Sequence, residues 1–162
     1  MVDPAPGTVA ESDETNNTAS KTVTVRGNKV RNGSFESAAN GSSPDAWSSS
    51  GSTSYGSGGT DGERSVTVGV GGSWTSEPVP VTAGSSYTFS IDATGAAATV
   101  LVEQLSATGA VLATTTRASW ELPTFAAVTA TLTPVGAATA VRVKLVGGLG
   151  TTTFDDVWLW ED

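Results

Sequence analysis

The chain has 162 residues, enough for one domain with a core, and a formal net charge of −8 from eight basic and sixteen acidic residues. It contains no cysteine and no histidine, which removes disulfides, thiolate zinc sites, cysteine nucleophiles and the commonest general base. No run of Lys or Arg offsets the negative balance and no apolar stretch approaches the ~20 residues of a membrane span, so neither nucleic-acid binding nor membrane insertion is expected.

Residues 1–27 are acidic and rich in Asn and Thr, and they end in the alternating Thr22-Val23-Thr24-Val25. Met1-Val2-Asp3-Pro4 has neither a basic start nor an apolar stretch behind it, so no signal peptide is expected and the chain reads as a piece of a longer protein. A domain boundary is expected near Gly27-Asn28. An orphan strand within residues 18–25 is expected to pair with an edge of its own or a neighbouring sandwich, because unpaired N–H and C=O groups seek one.

From residue 28 nearly every periodic segment repeats every two residues. Residues 37–62 are rich in Ser and Gly and predict long loops with room for two short strands. Ser65-Val66-Thr67-Val68-Gly69-Val70, Tyr87-Thr88-Phe89-Ser90-Ile91 and Val141-Arg142-Val143-Lys144-Leu145 alternate apolar with polar side chains, as half-buried antiparallel strands do. Turn residues punctuate them at Ala83-Gly84-Ser85, Thr108-Gly109 and Pro134-Val135-Gly136. No window carries a helical stripe. The prediction is an all-β fold, a jelly-roll β-sandwich of two antiparallel sheets. Its core is expected from Phe35, Val66, Val68, Tyr87, Phe89, Ile91, Val141, Val143, Leu145, Val157 and Leu159 on the inward strand faces, with Trp47 as a lid.

Two stretches resemble known families. Gly7-Thr8-Val9-Ala10-Glu11-Ser12-Asp13-Glu14-Thr15-Asn16-Asn17 with Thr22–Val25 resembles the closing part of a CARDB-type adhesion-related domain, so residues 1–27 are read as its truncated tail. Residues 28–162 run through Val30-Arg31-Asn32-Gly33-Ser34-Phe35-Glu36, Asp61-Gly62-Glu63-Arg64-Ser65-Val66, Thr82-Ala83-Gly84-Ser85-Ser86-Tyr87-Thr88-Phe89-Ser90 and Phe154-Asp155-Asp156-Val157. That order is similar to the jelly-roll carbohydrate-binding modules of families 4, 9, 16 and 22, within the galactose-binding-like superfamily.

The resemblance implies one structural calcium held by Ser34 or Glu36, the Asp61-Gly62-Glu63 loop and Asp155. Strand parity puts Asp155 on the face of Val157 and Leu159, where its carboxylate needs a cation or N–H donors. For sugar, rings that stack on C–H-rich faces are required beside polar groups. Trp74, Trp120 and Tyr55 are the candidate platforms, each of which could instead pack at a core margin, and Gln104, Glu103 and Arg117 are the candidate hydrogen-bonding partners. Trp158 and Trp160 are expected to project from the opposite face to Val157 and Leu159, either beneath a loop or the front segment or as a second stacking surface.

The function the resemblance implies is non-catalytic: a secreted bacterial module that binds polysaccharide or oligosaccharide and holds an enzyme near its substrate. A structural or adhesive spacer is the alternative. Twelve acidic residues follow residue 28, so some carboxylate pair can always be drawn, and their number argues nothing for a glycosidase.

Overall fold

A computed structural model describes residues 26–119 and 121–162. The expectations placed on Trp120 and on residues 18–25 lie outside the described residues. Within them the chain forms eleven strands and no helix: β1 (Trp47–Ser50), β2 (Thr53–Ser57), β3 (Arg64–Val68), β4 (Ser73–Ser76), β5 (Val79–Pro80), β6 (Tyr87–Gly95), β7 (Ala98–Leu105), β8 (Val111–Ser119), β9 (Leu122–Leu132), β10 (Ala140–Gly147) and β11 (Thr152–Glu161).

They pair antiparallel in two sheets. The front sheet runs β1-β4-β10-β7-β8, with β5 continuing beside β10, and the back sheet runs β2-β3-β11-β6-β9. The loop-rich stretch 37–62 does contain two short strands, β1 and β2, which form an edge of each sheet. The sandwich is the jelly roll that the two-residue period predicts.

The period is legible because each strand sends alternate side chains inward. All eleven expected core residues are fully buried, and Val100, Val102 and Phe154 join them. Trp47 closes one margin of the core: it is 7% exposed, lies 5.0 Å from the Phe35 ring, and donates its indole N–H to the Asn32 carbonyl. Phe35 reaches the core from a turn rather than from a strand, with φ of 59°. Asn32 organises that turn through bonds to Ser37 and to the Asp45 carbonyl. Val70, expected to close the alternation of β3, stands 65% exposed in the turn beyond it.

The N-terminal stretch straps along the free side of β11. Lys29 N–H bonds the Leu159 carbonyl at 2.8 Å, Asn28 bonds both Val157 and Leu159, and Val157 N–H bonds the Gly33 carbonyl. Gly33 is required there because a Cβ would meet the Val157 carbonyl oxygen at 2.0 Å.

Candidate functional site

Two polar regions of the sandwich carry the expected chemistry. The first lies on the back sheet. Asp155 is fully buried, and its Oδ2 accepts the backbone N–H groups of Thr60 at 2.6 Å and Asp61 at 2.9 Å, with the Thr60 hydroxyl at 3.3 Å. Glu36 holds the same loop from its other end, its Oε1 accepting from the N–H groups of Glu63 and Arg64. Gly62, with φ of 89°, sits so close that a Cβ would lie 2.6 Å from Glu36 Oε1. The Asp-Gly pair is therefore what lets the loop close on Glu36.

The parity expected of Asp155 is wrong, and the cause is a bulge. Asp156 adopts φ of 49° and the register with β6 shifts between Asp155 and Trp158. Phe154 consequently joins Val157 and Leu159 on the inner face, and Asp155 faces outward opposite Asp92. Its burial comes from the loop at Thr60 and Asp61 folding over it. That burial raises the carboxyl pKa above its ordinary value, opposed by the N–H groups of Asp61, Asp156 and Thr60. Asp92, which the sequence reading did not single out, shares the Thr60 hydroxyl at 3.1 Å.

These residues fit a hard cation in one specific respect: Asp155 Oδ1 is buried and has no hydrogen-bond partner. Asp155 and Glu36 hold the two ends of one loop, Asp155 through the Asp61 N–H and Glu36 through the Glu63 N–H, while Ser34 lies half-buried in the turn before Glu36. Among the described residues no three acidic side chains gather at one point. A calcium ion there would take most of its about six to eight oxygens from backbone carbonyls and water.

The second region is the outer face of the front sheet, and the pairing register lays it out in rows. One row crosses all five strands as Ser48, Thr75, Lys144, Leu101 and Thr116. A second runs Ser50, Ser73, Val146, Thr99 and Ala118, and a third Arg142, Glu103 and Thr114. The Arg142 Nε bonds Glu103 Oε2 at 2.5 Å, joining residues 39 apart in sequence. A cavity of about 350 Å³ opens at the β1 end of this face, lined by Ser48, Thr75, Glu77, Pro78 and Arg142 among others.

The expected sugar-binding residues do not assemble into one site. Trp74 is a core residue: it is 2% exposed, pairs opposite the fully buried Leu145, and donates its indole N–H to the Thr67 carbonyl. It presents no ring face to a ligand. Gln104 is buried as well, its amide oxygen accepting Val135 N–H at 2.8 Å and so tying the loop before β10 to β7. Tyr55 lies in β2 rather than in a loop, facing inward opposite Val66. Its hydroxyl donates to the Phe35 carbonyl at 2.7 Å, and the Arg64 guanidinium stands 5.4 Å from its ring centre.

Only two of the expected partners remain on an accessible face. Glu103 lies in the front-face rows, and Arg117 is exposed at the opposite edge, bonding the Thr129 and Thr116 carbonyls beside a cavity of about 440 Å³ between β8 and β9. Trp158 and Trp160 project from the outer face of the back sheet, opposite Ser90 and Thr88, and both are half-buried. Trp158 donates to Asp156, and the Arg26 guanidinium lies 6.0 Å from the Trp160 ring centre.

No protein-family model matches the sequence, and no curated protein matches it. Solved structures do match in shape. The enzymatically active domain of tailspike protein 4 from bacteriophage CBA120 superposes with a TM-score of 0.70 at 15% identity, over 83% of this chain and 21% of that one. This chain thus spans about a fifth of the tailspike chain. A family 16 carbohydrate-binding module gives 0.59 at 14% identity, over 82% of this chain and 99% of its own. A family 61 module crystallised with β-1,4-galactotriose gives 0.57 at 16% identity, over 83% of this chain and 99% of its own. The chain has the two-sheet jelly-roll fold that these carbohydrate-binding modules share.

Proposed function

We propose that the chain is a non-catalytic carbohydrate-binding module whose ligand lies on the outer face of the front sheet. The observation that carries this reading is the face itself. Two ordered rows with three hydroxyls each, one of them carrying Lys144, stand on a five-strand platform beside the Arg142–Glu103 pair and an open cleft. Such groups match sugar hydroxyls in hydrogen-bonding type, and rigid strands hold them at low entropic cost. The likeness to modules that cover nearly the whole of their own length favours the same reading. A tether to an extracellular polysaccharide-degrading enzyme, in a secreted protein, would give such a module its use. A glycan array probed with the full chain tests it. Retention of one glycan class is expected, and a blank array would overturn the reading.

The spacer reading keeps one observation of its own. Both aromatic residues of the front sheet, Trp47 and Trp74, are buried, so among the described residues that face shows no ring for a sugar to stack on.

Calcium belongs to the proposal as a structural ion. Asp155, through its unclaimed Oδ1, would hold it with Glu36, Asp61 and Ser34 nearby. Bound, the ion would neutralise a buried carboxylate and pin the N-terminal stretch, the loop before β3 and β11 to one another. Thermal melts with and without EDTA test it; identical transitions would remove calcium from the account.

A further inference from the structure

Charge is divided unevenly between the sheets of this acidic chain. The strands of the front sheet carry Arg117, Arg142 and Lys144 against the single acid Glu103. Those of the back sheet carry Asp92, Asp155, Asp156 and Glu161 against Arg64.

At the centre of the front face the carboxylates are already matched. Glu103 is claimed by Arg142, and Glu77, across the adjoining cavity, lies 3.3 Å from Arg31. Lys144 is left over. It sits on β10, the middle strand, between Thr75 and Leu101, half-buried, with no ion pair or hydrogen bond among the described residues. Arg142, one outward position along the same strand, engages Glu103 through Nε and keeps its Nη donors without a partner among the described residues.

We infer that the glycan taken by this face is anionic, its sugar rings bearing carboxylate or sulfate groups, and that Lys144 receives one of them. The inference rests on the carbohydrate-binding reading and names its ligand class. Neutral sugars are commonly gripped by aromatic rings, and this face has none among the described residues. It has instead an uncompensated ammonium beside a guanidinium and rows of hydroxyls, which suit charge-assisted hydrogen bonds to an anionic substituent. The net charge of −8 does not oppose this at contact, because fields from the back sheet are screened beyond about 8–10 Å in physiological salt. The alternation of β10 puts Arg142 and Lys144 on one face, and the strand register sets the hydroxyls around them.

The test is isothermal titration and affinity electrophoresis of the full chain. The probes are polygalacturonate, its fully methyl-esterified form, alginate, κ-carrageenan and agarose, with uronate-free arabinoxylan and galactan as neutral polymers and polyglutamate and polyphosphate as polyanions without sugar. Binding of a uronate polymer or of carrageenan is expected, and which of the two binds separates carboxylate from sulfate. The neutral counterpart should bind about tenfold weaker or less, and Lys144→Met should weaken the anionic complex about tenfold, the loss of one charge-assisted hydrogen bond. Lys144→Arg should retain binding, and the melting temperatures of both variants should match that of the parent. Binding of a neutral glycan alone, unaffected by Lys144→Met, would overturn the inference and leave the carbohydrate-binding reading standing. Polyglutamate and polyphosphate bound as tightly as the anionic glycan would overturn it as mere charge attraction. Binding of no glycan would remove both.

Discussion

The two sheets bury similar inner faces and put their outer faces to opposite uses. Outside the back sheet, polar groups are covered and tied down. The loop at Thr60 and Asp61 folds over Asp155, Asn28 and Lys29 bond along β11, and Trp158 and Trp160 stand half-buried. Outside the front sheet, rows of Ser and Thr lie open around Arg142, Glu103 and Lys144. The contrast teaches that strand parity decides which side of a sheet a residue takes, while what crosses that side decides whether it is buried. Among the described residues, one outer face is covered and the other stands open.

The strongest way to break this division is at Trp74, whose indole the structure places between the sheets. Trp74→Ala should lower the unfolding free energy by about 3–5 kcal/mol, as truncation of a buried Trp does. Urea titration measures it. A variant of parental stability that had lost only glycan binding would put Trp74 back on the surface and the sheet assignment in doubt.

Asp155 probes the covered face. Asp155→Ala removes the carboxylate that accepts the Thr60 and Asp61 N–H groups, which should cost about 1.5–3 kcal/mol in the same titration. A loss below about 0.5 kcal/mol would mean that water already reaches this site, making the back face as open as the front.

Calcium and pH sharpen the same point. A ligand at a hundred times its dissociation constant stabilises the folded chain by about 2.7 kcal/mol. The ion needs Asp155 ionised, and burial raises this carboxyl's pKa, so calcium affinity should fall as pH drops through that raised value. Without the ion the sign is the reverse of the usual acidic case. The folded state holds the Asp155 proton more tightly than the unfolded state, so this group's contribution to stability declines as pH rises from the ordinary carboxylate value through the raised one. Asp162 behaves oppositely. Bonds from the Ser86 and Thr88 hydroxyls lower its pKa, and its contribution is lost as pH falls through the lowered value. Melts across pH 3 to 7, with calcium and with EDTA, separate the two (roughly the range over which carboxylates titrate).

What could be read from the sequence was whatever depends on alternation within one strand. Tyr87, Phe89 and Ile91, or Val141, Val143 and Leu145, announce their inward face by themselves. Trp74 does not, because Ser73-Trp74-Thr75-Ser76 offers one apolar residue and thus no phase; its pairing with β10 supplies the direction. Gln104 was legible in principle, since the inward run Val100, Val102 continues to it, and a polar residue on that run points to a buried amide rather than to a ligand contact. Asp155 was misread because its parity is reversed by a bulge at a non-glycine residue, which leaves no mark in composition. The front face was the least legible part. Arg142, Lys144 and Glu103 become neighbours of Thr75 and Ser48 only through strand pairings between distant segments.

The smallest expected effect bears on whether the front face is a display or a brace. The Arg142 and Glu103 side chains are 34% and 13% exposed, so their attraction is partly screened and should couple them by about 1 kcal/mol or less in a double-mutant cycle. The single variants should differ. Arg142→Met leaves the less accessible Glu103 without its cation, whereas Glu103→Gln leaves a guanidinium that water can still reach, so the first should cost more. Glu103→Gln also removes the only acid of the front strands and should tighten an anionic glycan severalfold while stability moves by less than about 1 kcal/mol. Urea titrations and glycan titrations on the same four proteins read both quantities. A coupling larger than the Asp155→Ala loss would show the pair to be fastening the front sheet much as Asp155 fastens the back, and the functional contrast between the two faces would then disappear.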